Sequence, residues 1–70
     1  MNHRRFALSR WEGEMWSYVR VVRNKGYMWT RRLEHASRYT TRTGARQARW
    51  RLGLGTDEAD IFDTERVRDV

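Results

Sequence analysis

The sequence predicts a small α+β domain: a three-stranded antiparallel sheet in ββαβ order, with one helix packed on one face. Three observations predict it. Residues 16 to 30 read as two short strands around a turn. Residues 41 to 53 carry start and stop signals of a helix. Residues 59 to 67 alternate apolar and polar side chains. All 70 residues form one domain, divided into an N-terminal arm (1–14), the ββαβ core (15–67) and a tail (68–70).

The first strand, Trp16 to Arg23, is rich in β-branched and aromatic residues that suit a pleated sheet. Val19 and Val21 fall on one face; Tyr18, Arg20 and Val22 fall on the other. Both faces are partly apolar, which predicts a central strand. Asn24-Lys25-Gly26 follows with turn chemistry, glycine taking the positive φ of a three-residue hairpin. Tyr27 to Thr30 is the second strand.

The segment "TRRLEHASRYTT" is irregular or holds one helical turn, with Leu33 and Ala36 inward. Thr41 is then placed to cap the helix, its hydroxyl accepting an orphan amide of the first turn. Gly53 stands where a left-handed terminal residue is wanted. At 100° per residue, Ala45, Ala48 and Leu52 share a thin apolar face that lets the helix sit close on the sheet. Leu54 to Glu58 reads as a loop. The last strand, within "ADIFDTERV", pairs most simply beside the first. The N-terminal residues show no period and read as a loose arm or short edge element that lays Phe6 or Trp11 over the core.

A chain this short buries only about 60% of the surface it exposes when unfolded, so its core is small. There is no cysteine, hence no disulfide and no thiolate metal site. His3 and His35 lack the spacing of a metal pair. No metal or other cofactor is expected. Dimerisation or a tightly bound partner would supply the missing stability. No apolar run reaches the length of a membrane span, and the first ten residues lack a signal-peptide core, so the reading is cytoplasmic.

Charge is the strongest compositional signal. Fifteen basic residues, fourteen of them arginine, oppose nine acidic ones for a net charge of +6. Residues 1–56 carry thirteen basic side chains against three acidic ones, whereas residues 57–70 carry two against six. Such a body is drawn to polyanions, whether nucleic acid or an acidic protein surface. Arginine suits bidentate contacts and aromatic stacking; arginine-rich coding in a GC-rich genome would produce the same bias.

The order of features resembles that of small accessory proteins of phages and prophages. The segments that carry the resemblance are "YVRVVRNKGYMWT", "ASRYTTRTGARQARWRLG" and "ADIFDTERV", together covering about residues 16 to 67. The glutamates usual in the first helical turn of such proteins are replaced here by Arg42, Thr43 and Gly44. The resemblance implies the ββαβ fold and a class that includes anti-CRISPR proteins and other inhibitors of host defence. Such a protein would act stoichiometrically on a host protein or ribonucleoprotein complex.

Two groups of residues are candidates for a binding role. On the helix, Arg42, Arg46 and Arg49 stand at i, i+4 and i+7 with Trp50 at their edge. Guanidinium groups spaced about 6 Å apart can follow a phosphate backbone or an acidic groove, and a tryptophan beside them can stack on a base or fill a pocket. A solvated helix face is the plainer alternative. On the sheet, Tyr18, Arg20, Tyr27, Trp29 and Arg31 interleave aromatics with cations, as in single-strand binding platforms. The alternative is that they are strand formers and core, Trp16 and Trp29 in particular.

Catalysis has little to stand on: His35 has no triad, and "GLG" at 53–55 is a helix stop rather than a phosphate loop. The acids Asp57, Glu58, Asp60 and Asp63 lack cation-loop spacing and are expected to pair with arginines or a basic partner. Two functions follow: an inhibitory binding protein without enzymatic activity, or a small basic nucleic-acid-binding module.

Overall fold

The computed structural model describes residues 4–65. Along the chain lie β1 (Phe6–Trp11), β2 (Trp16–Val22), β3 (Gly26–Thr30), a one-turn 3-10 helix (Leu33–His35), β4 (Arg38–Tyr39), α1 (Arg42–Arg51) and β5 (Asp60–Asp63). The class is α+β, with one helix on an antiparallel sheet. The sheet has five strands rather than three.

The main correction falls on the N-terminal arm. Residues 6–11 are a strand, and that strand is the hub of the sheet. β1 pairs with β2 through Ser9↔Tyr18 to Trp11↔Trp16, with β4 through Phe6↔Tyr39 and Ala7↔Arg38, and with β5 from Phe6↔Asp63 to Ser9↔Asp60. A strand has two edges, and Phe6 and Ser9 each have two partners. β2 and β4 therefore share one edge of β1, and β5 takes the other. The last strand thus pairs with β1, not with β2. β2 is flanked on both sides as expected, but by β1 and β3. The end of the predicted last strand and the 68–70 tail lie outside the described residues.

Where β2 leaves β1, the connection before β4 fills the fork. Ser37 N donates to Val19 O (3.1 Å) and Val21 N donates to Ser37 Oγ (2.8 Å). These bonds satisfy backbone groups that β1 no longer reaches. The expected helical turn is the 3-10 helix; the two-residue β4 after it was not foreseen.

The hairpin turn forms one residue earlier than read, over Arg23, Asn24 and Lys25, with Gly26 opening β3 opposite Val22. Lys25 N donates to Val22 O (3.1 Å), and both Asn24 (φ 67°) and Gly26 (φ 84°) are left-handed. No atom lies within 4 Å of the place a Gly26 Cβ would take, so the demand there is conformational rather than steric. Gly26→Val is expected to destabilise the fold by more than about 1 kcal/mol, because a β-branched residue resists positive φ. A urea titration measures this, and an unshifted midpoint would refute it.

α1 also follows its signals. Thr41 Oγ1 accepts from Gly44 N (2.9 Å). At the other end Gly53 (φ 76°) donates to Trp50 O (3.0 Å) and Leu54 N to Arg49 O (3.1 Å), a Schellman closure. That closure turns Leu54 inward. The core consists of Leu8, Val19, Ala45, Leu54 and Ala59, with Phe6, Tyr27, Trp29, Tyr39, Leu52 and Ile61 packed against it. Leu54, read as loop, is thus core.

One ion pair fastens β5 to the start of β1. Arg5 Nε and Nη2 donate to the two carboxylate oxygens of Asp63, each at 2.7 Å, while Thr64 N and Oγ1 donate to Arg5 O. Asp63 is buried, and the Arg5 hydrogen bonds hold its carboxyl down from 3.8 to about 2. A depressed folded-state pKa adds stability that is present above the unfolded value and is lost as pH falls through the folded one. Asp63→Asn should therefore melt below the parent at pH 6, with the difference shrinking between pH 3.8 and about 2. A difference that stays constant across that window would show that the carboxylate charge does not matter.

Candidate interaction surface

Strand pairing sorts every side chain onto one of two faces, because directly paired residues point the same way. One face carries Phe6, Leu8, Val19, Tyr27, Trp29, Tyr39 and Ile61, all of them core or packed on it, and α1 lies there. The other face carries Ala7, Ser9 and Trp11 from β1, Trp16, Tyr18 and Arg20 from β2, Met28 from β3, Arg38 from β4, and Asp60 and Phe62 from β5. No helix of the described residues covers it.

On that open face four aromatic rings form a continuous chain. Trp11 and Trp16 meet edge-on with centroids 5.1 Å apart. Trp16 lies 5.6 Å from Phe62, and Phe62 lies 5.5 Å from Tyr18. These geometries are favourable for aromatic pairs. The small residues Ala7 and Ser9 on the central strand leave room for rings from the flanking strands to lean inward. As a result Ala7, Ser9 and Tyr18 are buried, and burial pushes the Tyr18 hydroxyl pKa up. The Ser9 hydroxyl beneath has no hydrogen-bond partner among the described residues. The outer members stay in solvent: Trp11 is 53% exposed, Trp16 38% and Met28 51%. Met15, in the connection between β1 and β2, is exposed as well.

The predicted sheet group therefore divides. Tyr18 and Arg20 belong to the open face. Tyr27 and Trp29 are on the helix side, half-buried and packed edge-on at 6.2 Å. Trp29 is core-packed as read, whereas Trp16 is on the open face. Arg31 follows the end of β3 and lies 3.4 Å from Glu12. Glu12 also receives Arg10 (2.8 Å), whose guanidinium stacks 4.0 Å over the Trp29 ring. The Arg10 hydrogen bonds hold the Glu12 carboxyl below its usual value. Arg31 and Tyr27 are thus tied to packing on the helix side.

The helix stripe divides too. Arg42 lies 5.1 Å over the Phe6 ring and 4.0 Å from Asp63. Arg49 Nη1 donates to Ala59 O (3.1 Å). Arg46 and Trp50 face outward, and Trp50 is 81% exposed. The wheel explains the split. At 100° per residue Arg42 and Arg49 border the Ala45/Ala48/Leu52 face, whereas Arg46 and Trp50 are turned farther from it.

His35 is exposed on the 3-10 helix. Among the described residues no cluster of three or more metal-ligating side chains occurs, and no helix is long and apolar enough to cross a membrane. Of the four acids, Asp63 pairs with arginine as expected. Glu58 instead accepts from Gly55 N (2.9 Å) within its own loop. Trp11, Met28 and Phe62 were missed as surface residues. The available signal was two tryptophans flanking Gly13, which mark a second hairpin. Comparison with protein-family models, curated proteins and solved structures yields no match for this chain.

Proposed function

We propose that this chain is a binding protein without enzymatic activity, acting by stoichiometric association with a protein partner through its open sheet face. One observation carries the reading: Trp11, Trp16, Phe62 and Tyr18 form a connected aromatic surface, flanked by exposed Met28, on a face that no helix of the described residues covers. Tryptophan, tyrosine and methionine are enriched at protein interfaces, and buried tryptophans dominate their energetics. The net charge of +6 favours an acidic partner surface, with Arg20 on the same face and Arg46 and Trp50 on the helix as further contacts.

The resemblance to phage accessory proteins supports the partner class. The partner is a host defence complex, such as a CRISPR effector in the host cytoplasm, and the chain blocks it as an anti-CRISPR protein would. A basic inhibitor does not mimic DNA; it occupies an acidic patch. The opposite half of the reading, a nucleic-acid-binding module, is favoured by the placement of Arg20 beside the rings. Pull-down from a host lysate with and without nuclease separates the two. Capture that survives nuclease and is lost on replacing Trp11 supports the protein partner. Loss of all capture after nuclease supports nucleic acid. A concentration-dependent dimer, disrupted by the same replacement, would instead mean that two copies close the aromatic face on each other.

A further inference from the structure

A second feature lies at the two edges of the sheet. Among the described residues β3 pairs only with β2, and β5 pairs only with β1. Each of these strands therefore turns a row of N–H and C=O groups outward, with no partner strand among the described residues. Natural edges are blunted by charge, proline or a bulge. β3, Gly26-Tyr27-Met28-Trp29-Thr30, carries neither charge nor proline. Its side chains are also incompletely covered: Met28 is exposed on the open face, and Tyr27 and Trp29 are half-buried on the helix side.

The two edges differ in charge. Exposed cations bracket β3, with Arg23 and Lys25 in the turn before it and Arg31 and Arg32 after it. Exposed acids gather at the start of β5: Asp57 and Glu58 in the preceding loop and Asp60 on the strand itself. Asp63, at the other end, is taken up by Arg5. Strand direction matches as well. From β3 through β2 and β1 to β5, each neighbouring pair is antiparallel. A β5 laid beside the β3 of another copy, with both sheets facing the same way, is then antiparallel to it and can form a regular ladder. With Phe62 opposite Met28, both lie on the open face, and Ile61 falls opposite Trp29 on the helix side. Sulfur against a ring and a β-branched residue against an aromatic are both favourable pairings. The same register brings the acidic start of β5 to the Arg31/Arg32 end of β3.

We propose that this chain associates with itself head to tail, the outer edge of β5 in one copy adding to the outer edge of β3 in the next. The contact is heterologous, so it extends the sheet from copy to copy instead of closing a two-fold dimer. The open aromatic faces then run on in one surface, joined through Met28 and Phe62. A single strand pair is a small interface, which sets the association at the weak end. The opposite charges at the Arg31/Arg32 end make it sensitive to salt. The inference rests on the sheet edges and is independent of the partner proposed for the open face.

Sedimentation velocity of the full chain at low salt, over a wide range of concentration, tests it. The average mass should climb past that of a dimer as concentration rises, and fall back in high salt. Arg31→Glu with Arg32→Glu should weaken association at least about tenfold, and so should Asp57→Lys with Asp60→Lys. The first variant lowers the net charge, so its loss cannot come from overall repulsion, and Glu12 keeps its Arg10 partner. Melting curves establish that both variants fold. Mixed together they should associate again, because the reversed β3 end of one now meets the reversed β5 start of the other. Trp11→Ala, away from both edges, should associate as the parent does. A synthetic peptide of residues 57–65 should dissociate assemblies of the parent chain, a readout that needs no variant. A monomer at every concentration, a mass that stops at the dimer, or association lost in Trp11→Ala would overturn the proposal. So would a mixture of folded variants that stays monomeric, or a peptide without effect.

Discussion

Leu8→Ala is expected to leave the domain substantially unfolded at 25 °C. Leu8 is 1% exposed and sits on the strand that every strand but β3 pairs with. It joins Val19, Ala45, Leu54 and Ala59 in the core, where two members are alanines that bury little themselves. Truncating a fully buried leucine costs about 2–5 kcal/mol. A domain of this size rarely holds more than about 3–5 kcal/mol in its core. The two ranges overlap, so one side chain decides whether the fold persists. Far-ultraviolet circular dichroism through a urea titration measures it. A parent-like transition would mean that neighbouring side chains collapse into the space.

That sensitivity explains why β1 escaped a reading by pattern. A half-exposed strand alternates, and alternation is what the eye finds in residues 59 to 63. In β1 the consecutive residues Ala7, Leu8 and Ser9 are all buried, Leu8 under the helix and the other two beneath the rings of the open face. Alternation vanishes when both faces are covered. The cover on one face comes from side chains of neighbouring strands, Tyr18 of β2 and Phe62 of β5 among them, which no local signal announces. The helix and the hairpin turn were legible because their signals are local: a hydroxyl three residues before the amide it caps, and glycines at left-handed positions. Leu54 was not, since its burial follows from the closure after Gly53 rather than from any period of its own.

The candidate site was legible in kind but not in place. Arginine and aromatic residues were the right types to follow, and strand parity already separated Tyr18 and Arg20 from Val19 and Val21. It could not assign Tyr27 without the register, which pairs it with Val21 and so puts it on the same side of the sheet as the helix. The three helix arginines form one stripe by spacing, and their different angles to the Ala45/Ala48/Leu52 face separate Arg46 from the other two. Packing adds the partners, Asp63 for Arg42 and Ala59 O for Arg49.

The second large effect is expected on binding rather than stability. Trp11→Ala combined with Met28→Ala should leave the melting temperature close to that of the parent, because both side chains are more than half exposed. Trp16, Phe62 and Tyr18 retain their mutual contacts in this variant, so Ala7 and Ser9 stay covered. Against the partner, loss of a tryptophan anchor is worth about 2 kcal/mol or more, which is roughly thirtyfold in Kd. The loss should fall on the dissociation rate and change little with salt, since no charge is removed. Arg46→Glu on the helix should behave in the opposite way, slowing association and steepening or reversing its salt dependence. The two variants therefore report on different surfaces through different rate constants. Unchanged binding by a folded Trp11→Ala/Met28→Ala protein, with binding lost in Arg46→Glu and Trp50→Ala, would move the interface from the sheet to the outer side of α1.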